Sequence, residues 1–107
     1  MAKSWKTTRG KQPESLVLHA VRQYLEIGGW FLIRHQAGLG TCPGLPDLQA
    51  IRDGRVVMIE CKTATGRLSS RQEAFRATWE AHGGEYVVAR STEDVEHLVD
   101  CLRTGGT

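Results

Sequence analysis

Residues 55–61, RVVMIEC, are apolar at both parities, with Val57, Ile59 and Cys61 on one face of a strand and Val56 and Met58 on the other. Such a strand reads as buried on both sides. Immediately before it stands Asp53-Gly54, the dipeptide that favours a two-residue type I′ turn. Strands over 47–52 and 55–62 therefore form a hairpin in which Arg52 pairs with Arg55, and stepping outward brings Asp47 opposite Glu60. Directly opposed residues share a face, with β-carbons about 4.5–5.5 Å apart. Lys62, two residues beyond Glu60, points to that same face.

The rest of the pattern supplies the covering layers. From Pro13 to Ile27, Val17, Ala20, Val21, Tyr24 and Leu25 recur at helical spacing, with Pro13 suited to the first turn and Gly28-Gly29 to the stop. Glu14 extends the inward stripe, which carries a carboxylate toward the covered end of the sheet; a favourable charge at a helix N-terminus is the alternative role. WFLIRH, 30–35, reads as a strand, and QAGLGTCPGLP as a loop. A helix over 70–82 carries Phe75 and Trp79 as core residues and ends at Gly83-Gly84. EYVVAR is a further strand, and Ser91-Thr92-Glu93-Asp94 opens a final helix with Val95, Leu98, Val99 and Leu102 inward.

A 107-residue chain with 40% apolar residues has material for one domain. The pattern places that domain at 13–103, after a basic arm over 1–12. Lys3, Lys6, Arg9 and Lys11 meet no acid before Glu14, whereas the remaining 10 basic and 12 acidic residues leave −2. The arm is either a solvated tail or a contact for nucleic-acid phosphates. No apolar run approaches the roughly 20 residues of a membrane span, and MAKSWKTTRGK lacks the apolar stretch of a signal peptide, so a cytoplasmic protein with no membrane partner is expected. Cys42, Cys61 and Cys101 form no CxxC pair and are expected to be buried, reduced thiols.

Asp47, Glu60 and Lys62 carry the chemistry. Two carboxylates about 5 Å apart repel by roughly 3 kcal/mol at an effective dielectric near 20. Lys62 offsets part of this, and a divalent cation bridging both acids would offset more; oxygen-only ligands favour Mg²⁺ or Mn²⁺ over zinc. A polar stripe on an open hairpin is the bland alternative, which the double burial of the strand argues against. A metal held at Asp47 and Glu60 would polarise a phosphodiester and activate water, with Lys62 stabilising charge, so the residues point to phosphodiester hydrolysis.

Pro46-Asp47, twelve residues, then Glu60-Cys61-Lys62 resembles the PD(D/E)xK signature of restriction-endonuclease-like nucleases. The helix with Glu14, GLPDL, the DGR turn, IECK, GRLSSRQEAF and HGGEYVVARSTEDV follow in the order of a VRR-NUC domain, the virus-type replication and repair nuclease, in its short standalone phage and bacterial form. The resemblance covers about residues 13–102. It implies an α/β fold with a restriction-endonuclease-like αβββαβ core, a C-terminal helix and a mixed central sheet flanked by helices. It implies Mg²⁺- or Mn²⁺-dependent cutting of branched or flapped DNA by a homodimer similar to Holliday-junction resolvases. Carried over, Asp47, Glu60 and the carbonyl of Cys61 are metal ligands, Lys62 is the catalytic lysine, Glu14 the helix carboxylate, and Gln72 the glutamine after the hairpin. Cysteine replaces the branched residue common between Glu60 and Lys62, where only the backbone is needed.

Several assignments stay open. Ser69-Ser70-Arg71-Gln72 is equally a capping box, so Gln72 is either a helix cap or part of the site. Arg67 and Arg71, with Lys11 from the arm, are candidates for DNA phosphate contacts. His35 is the histidine nearest the site, and all four histidines are expected in ordinary polar roles. Trp30, Phe31 or the final helix would supply a dimer surface. A DNA-junction binding module that keeps the acidic cluster only for structure competes with the nuclease, and sequence-specific restriction suits a 107-residue chain less well because little remains for base readout.

Overall fold

The computed structural model describes residues 13–36 and 42–99, so Lys11 and the basic arm, Cys101 and Leu102 lie outside the described residues. The elements are α1 (Glu14–Ile27), β1 (Phe31–Arg34), β2 (Leu48–Arg52), β3 (Arg55–Cys61), α2 (Ser70–Ala81), β4 (Glu85–Ala89) and a 3₁₀ turn over Thr92–Val95 that runs on helically through 96–99. The strands form one sheet in the order β1-β2-β3-β4, with β1, β2 and β3 antiparallel and β4 parallel to β3. A mixed sheet follows directly from the connections, because two antiparallel strands need only a hairpin whereas the parallel pair is joined through α2. Among the described residues no helix is long and apolar enough to cross a membrane.

The Asp53-Gly54 turn has the expected hand. Both residues have positive φ, 52° and 82°, as a type I′ turn demands. The register it sets runs from Arg52↔Arg55 to Leu48↔Ile59 without a slip. All five residues from Val57 to Cys61 are buried, so the central strand is covered on both faces.

Alternation divides the sheet. Leu32, Leu48, Ala50, Val57, Ile59, Cys61 and Ala89 face α1 and the C-terminal helical segment, where they close a core with Val17, Val21, Leu25, Val95 and Leu98. Tyr24 and Leu18 pack at its margin, while Ala20 is exposed just outside the stripe. Pro13 is the N-cap of α1 instead of a first-turn residue, with an extended backbone and its carbonyl accepting from Leu16 and Val17. On the other face α2 lies over Tyr86, its Phe75 and Trp79 rings stacked at 6.0 Å. No residue of α2 is fully buried, so Phe75 and Trp79 are a half-covered aromatic layer and not the core residues expected from their spacing. Trp30 is 4% exposed and Phe31 65%, which removes Trp30 as a surface residue and leaves Phe31 as one.

Leu25 and Ile27 sit two residues apart on α1 but differ completely in cover, at 0% and 82% exposure. Leu25→Ala should cost about 2–5 kcal/mol of unfolding free energy and Ile27→Ala less than about 0.5, measured by urea denaturation.

Candidate metal centre

The hairpin ends where β2 begins at Leu48 and β3 stops at Cys61, leaving Asp47 and Lys62 one residue outside the strands. There the side chains take over the backbone's hydrogen bonding. The Asp47 amide donates to Glu60 Oε1 at 3.1 Å, and the Cys61 amide donates to Asp47 Oδ2 at 3.0 Å. Lys62 Nζ stands 3.4 Å from Glu60 Oε2, so the acid, acid and lysine set is assembled on one face as the register requires. Glu14, at the first position of α1, brings a third carboxylate around the end of the sheet. Ligand oxygens of Glu14, Asp47 and Glu60 lie within 4.8 Å of one another.

Gln72 fills both roles that its sequence position offers, because an amide has two ends. Its Oε1 accepts from the Ser69 amide at 2.8 Å and the Ser69 hydroxyl accepts from the Gln72 amide, which completes the capping box of α2. Its Nε2 donates to Glu60 Oε2 at 2.9 Å. A backbone N–H can only donate, so the partner of Oε1 fixes the orientation of the amide. The helix cap therefore aims the side chain at the site.

Glu60 is 2% exposed and is the buried charged residue among those described. Its carboxyl is pushed up from 4.5 to about 7, first by burial and then by the charge of Asp47, against the opposing pull of Lys62 and of its hydrogen bonds. Burial thus outweighs the carboxylate repulsion on which the sequence argument rested. Burial also pushes the Cys61 thiol up to about 12, with Asp47 adding to it; that thiol points into the core, so only the backbone of Cys61 is available to the site. Cys42, by contrast, is exposed, contrary to the expectation of buried thiols.

The donor set fits a hard divalent cation. It consists of three carboxylates from three separate segments, graded from exposed Glu14 through half-buried Asp47 to buried Glu60, with no thiol or imidazole in the group. Beside Asp47 and Gln72 opens a cleft of about 400 Å³, walled by His35, Pro43, Gly44 and Arg71. Arg71 and Arg67 are both exposed, and Arg71 lines this cleft.

Three residues support the site from behind, and of these His35 has the polar role near the site that the sequence led one to expect. His35 holds the motif loop: its amide donates to the Asp47 carbonyl at 2.8 Å, and its Nδ1 lies 2.9 Å from the Pro46 carbonyl. Gly44, in the left-handed region at φ 77°, packs its backbone against the start of α2, where a β-carbon would land on the Arg71 carbonyl. Arg90 Nη1 reaches the carbonyls of Thr63 at 2.7 Å and Gly66 at 2.6 Å, pinning the connection between Lys62 and α2. The glycine in GLPDL was a weak signal for Gly44; nothing in the sequence marked Arg90. Comparison with protein-family models, curated proteins and solved structures returned no match.

Two outcomes follow from this geometry. Gly44→Ala should destabilise the protein by about 1–3 kcal/mol, since it combines positive φ with a backbone clash at the helix that carries Gln72; thermal denaturation measures it. In metal-free protein, Glu60 binds its proton more tightly when folded, so its contribution to stability falls as pH rises from about 4.5 through about 7 and levels off beyond. The unfolding free energy of wild type relative to Glu60→Gln, followed from pH 4.5 to 7.5 in EDTA, should drop by roughly 3 kcal/mol.

Proposed function

We propose that this chain is a metal-dependent, structure-selective DNA endonuclease of the VRR-NUC type, with a restriction-endonuclease-like core, acting on branched or flapped DNA. The observation that carries the reading is the approach of Glu14, Asp47 and Glu60 to within 4.8 Å, with Lys62 3.4 Å from Glu60. The order of helix, three strands, helix and strand, and the mixed sheet, agree with it.

Asp47 and Glu60 would hold Mg²⁺ or Mn²⁺, with Glu14 and the Cys61 carbonyl completing the oxygen set. The cation, when bound, supplies charge to polarise a phosphodiester and to lower the pKa of a water. The protein's own contribution is positioning. Gln72 and the Asp47 amide orient the Glu60 carboxylate, while Lys62, 13% exposed at its side chain, supplies a fixed positive charge for the developing negative charge on phosphate. Arg71 at the cleft wall, exposed Arg67, and Lys11 from the arm are the proposed phosphate contacts.

Two symmetric nicks in a four-way junction need two sites, and the described residues of one chain hold one such carboxylate group, so a homodimer is part of the proposal. Phe31 and Ile51 are opposed on adjacent strands and, with Ile33, remain exposed on the α2 side of the sheet. They are the surface on which the pairing would be sought.

One observation favours a non-catalytic DNA-junction module instead: three donors, from Asp47, Gln72 and Lys62, already satisfy the Glu60 carboxylate without any ion. Nicking of labelled four-way junction, flap and linear duplex DNA in Mg²⁺, Mn²⁺ or EDTA separates the readings. Branched DNA should be nicked only with metal. Asp47→Ala or Glu60→Ala should abolish cleavage, Lys62→Ala should lower it by about 10²–10³, and Gln72→Ala by about 10–100-fold. Full activity in either acid variant defeats the nuclease reading.

A further inference from the structure

We propose that the apolar groove along the flank of α2 beside Pro43 is a subsite for an unpaired nucleobase of the strand held at the carboxylates; this rests on the DNA-cleaving role above. The groove, about 500 Å³, is lined by Ala74, Phe75, Thr78 and Trp79 of α2 and by Pro43 of the motif loop. It adjoins the cleft at Asp47 and Gln72, because Cys42, Pro43 and Arg71 line both.

That adjacency commits the groove to one kind of occupant. A nucleic-acid strand alternates charged phosphates with flat bases whose faces stack on aromatic rings. The surface offers the same alternation: carboxylates suited to a cation and phosphate, then exposed Arg71 at the shared wall, then aromatic rings. The seven helical steps from Gln72 to Trp79 span roughly 10 Å, the rise of about three stacked nucleotides.

The aromatic shelf is held in place. Trp79 Nε1 donates to the Glu85 carbonyl at 2.8 Å, which fixes the indole, and Phe75 lies nearly parallel to it with 14° between the rings. Gly84 passes so close beneath that a β-carbon there would meet the Trp79 indole. A base inside a duplex has both faces covered by its neighbours, so the shelf can receive only one that has left the stack. The groove therefore selects DNA with an unpaired arm beside the scissile phosphate.

The test uses a duplex whose single-stranded arm begins with 2-aminopurine, mixed with the full chain in Ca²⁺, a hard cation that oxygen ligands hold, over a time in which a gel shows no nicking. Wild type should quench the 2-aminopurine and bind the armed duplex on the order of tenfold more tightly than a blunt one. Ala74→Glu and Thr78→Glu, both at exposed helix positions, should lose the quench and reduce the preference to less than about twofold. Unchanged melting temperatures should accompany that loss. Equal affinity for armed and blunt DNA, or quenching retained in both variants, overturns the proposal. So does a fall in the sedimentation mass of the protein alone in Ala74→Glu, which would give the groove to a second copy. Quenching without nicking in Mg²⁺ or Mn²⁺ counts against the nuclease and leaves the groove standing, whereas nicking without quenching counts against the groove alone.

Discussion

The carboxylate of Glu60 is 2% exposed at the end of the most enclosed strand of the sheet, where an ionised group is costly unless donors or a cation face it. Much of the surrounding architecture answers that cost. The Asp47 amide reaches one oxygen, while Gln72 and Lys62 reach the other. Each donor imposes a demand further out. Asp47 must leave the strand at Leu48, Lys62 must follow the last pairing at Cys61, and α2 must begin where its cap sends Gln72 inward. Gly44 and Arg90 then hold the two connections that make those positions possible.

The two faces of the sheet divide the work. The α1 face holds nearly all the fully buried apolar residues and keeps the strand positions rigid. The α2 face is covered less completely and carries Glu60, Met58 and Tyr86, with Phe75 and Trp79 above them. Burial pushes the Tyr86 hydroxyl strongly upward, and nearby Glu60 adds to the effect, so this side combines low polarity with concentrated negative charge. Such surroundings strengthen the attraction for any cation at the carboxylates. Away from them, Arg55 and Glu85 form a two-pronged ion pair that ties the start of β3 to β4.

The sequence was most readable where local chemistry dictates geometry. Asp53-Gly54 determines a turn type, the turn determines a register, and the register brings Asp47 and Glu60 together; no step requires tertiary information. Glu14 followed from helical spacing, although its side chain is exposed and not part of a buried stripe. The reading was weaker where tertiary packing decides. Phe75 and Trp79 have core spacing, but α2 covers only part of its face and leaves them half-exposed. Trp30 is enclosed instead of forming surface, and Cys42 is exposed instead of buried. The two roles of Gln72 looked like rivals because a capping pattern shows only one end of the amide. Arg90 was invisible, since a guanidinium gathering carbonyls of a distant loop leaves no periodic trace.

Mn²⁺ binding, followed by electron paramagnetic resonance of the free ion at pH 7.5, tests the central claim directly. Wild-type protein should bind Mn²⁺ saturably, and Asp47→Ala should lose that binding while melting cooperatively. Absence of saturable binding, or equal binding by the Asp47→Ala protein, would show that the clustered carboxylates serve the fold and do not form a metal centre.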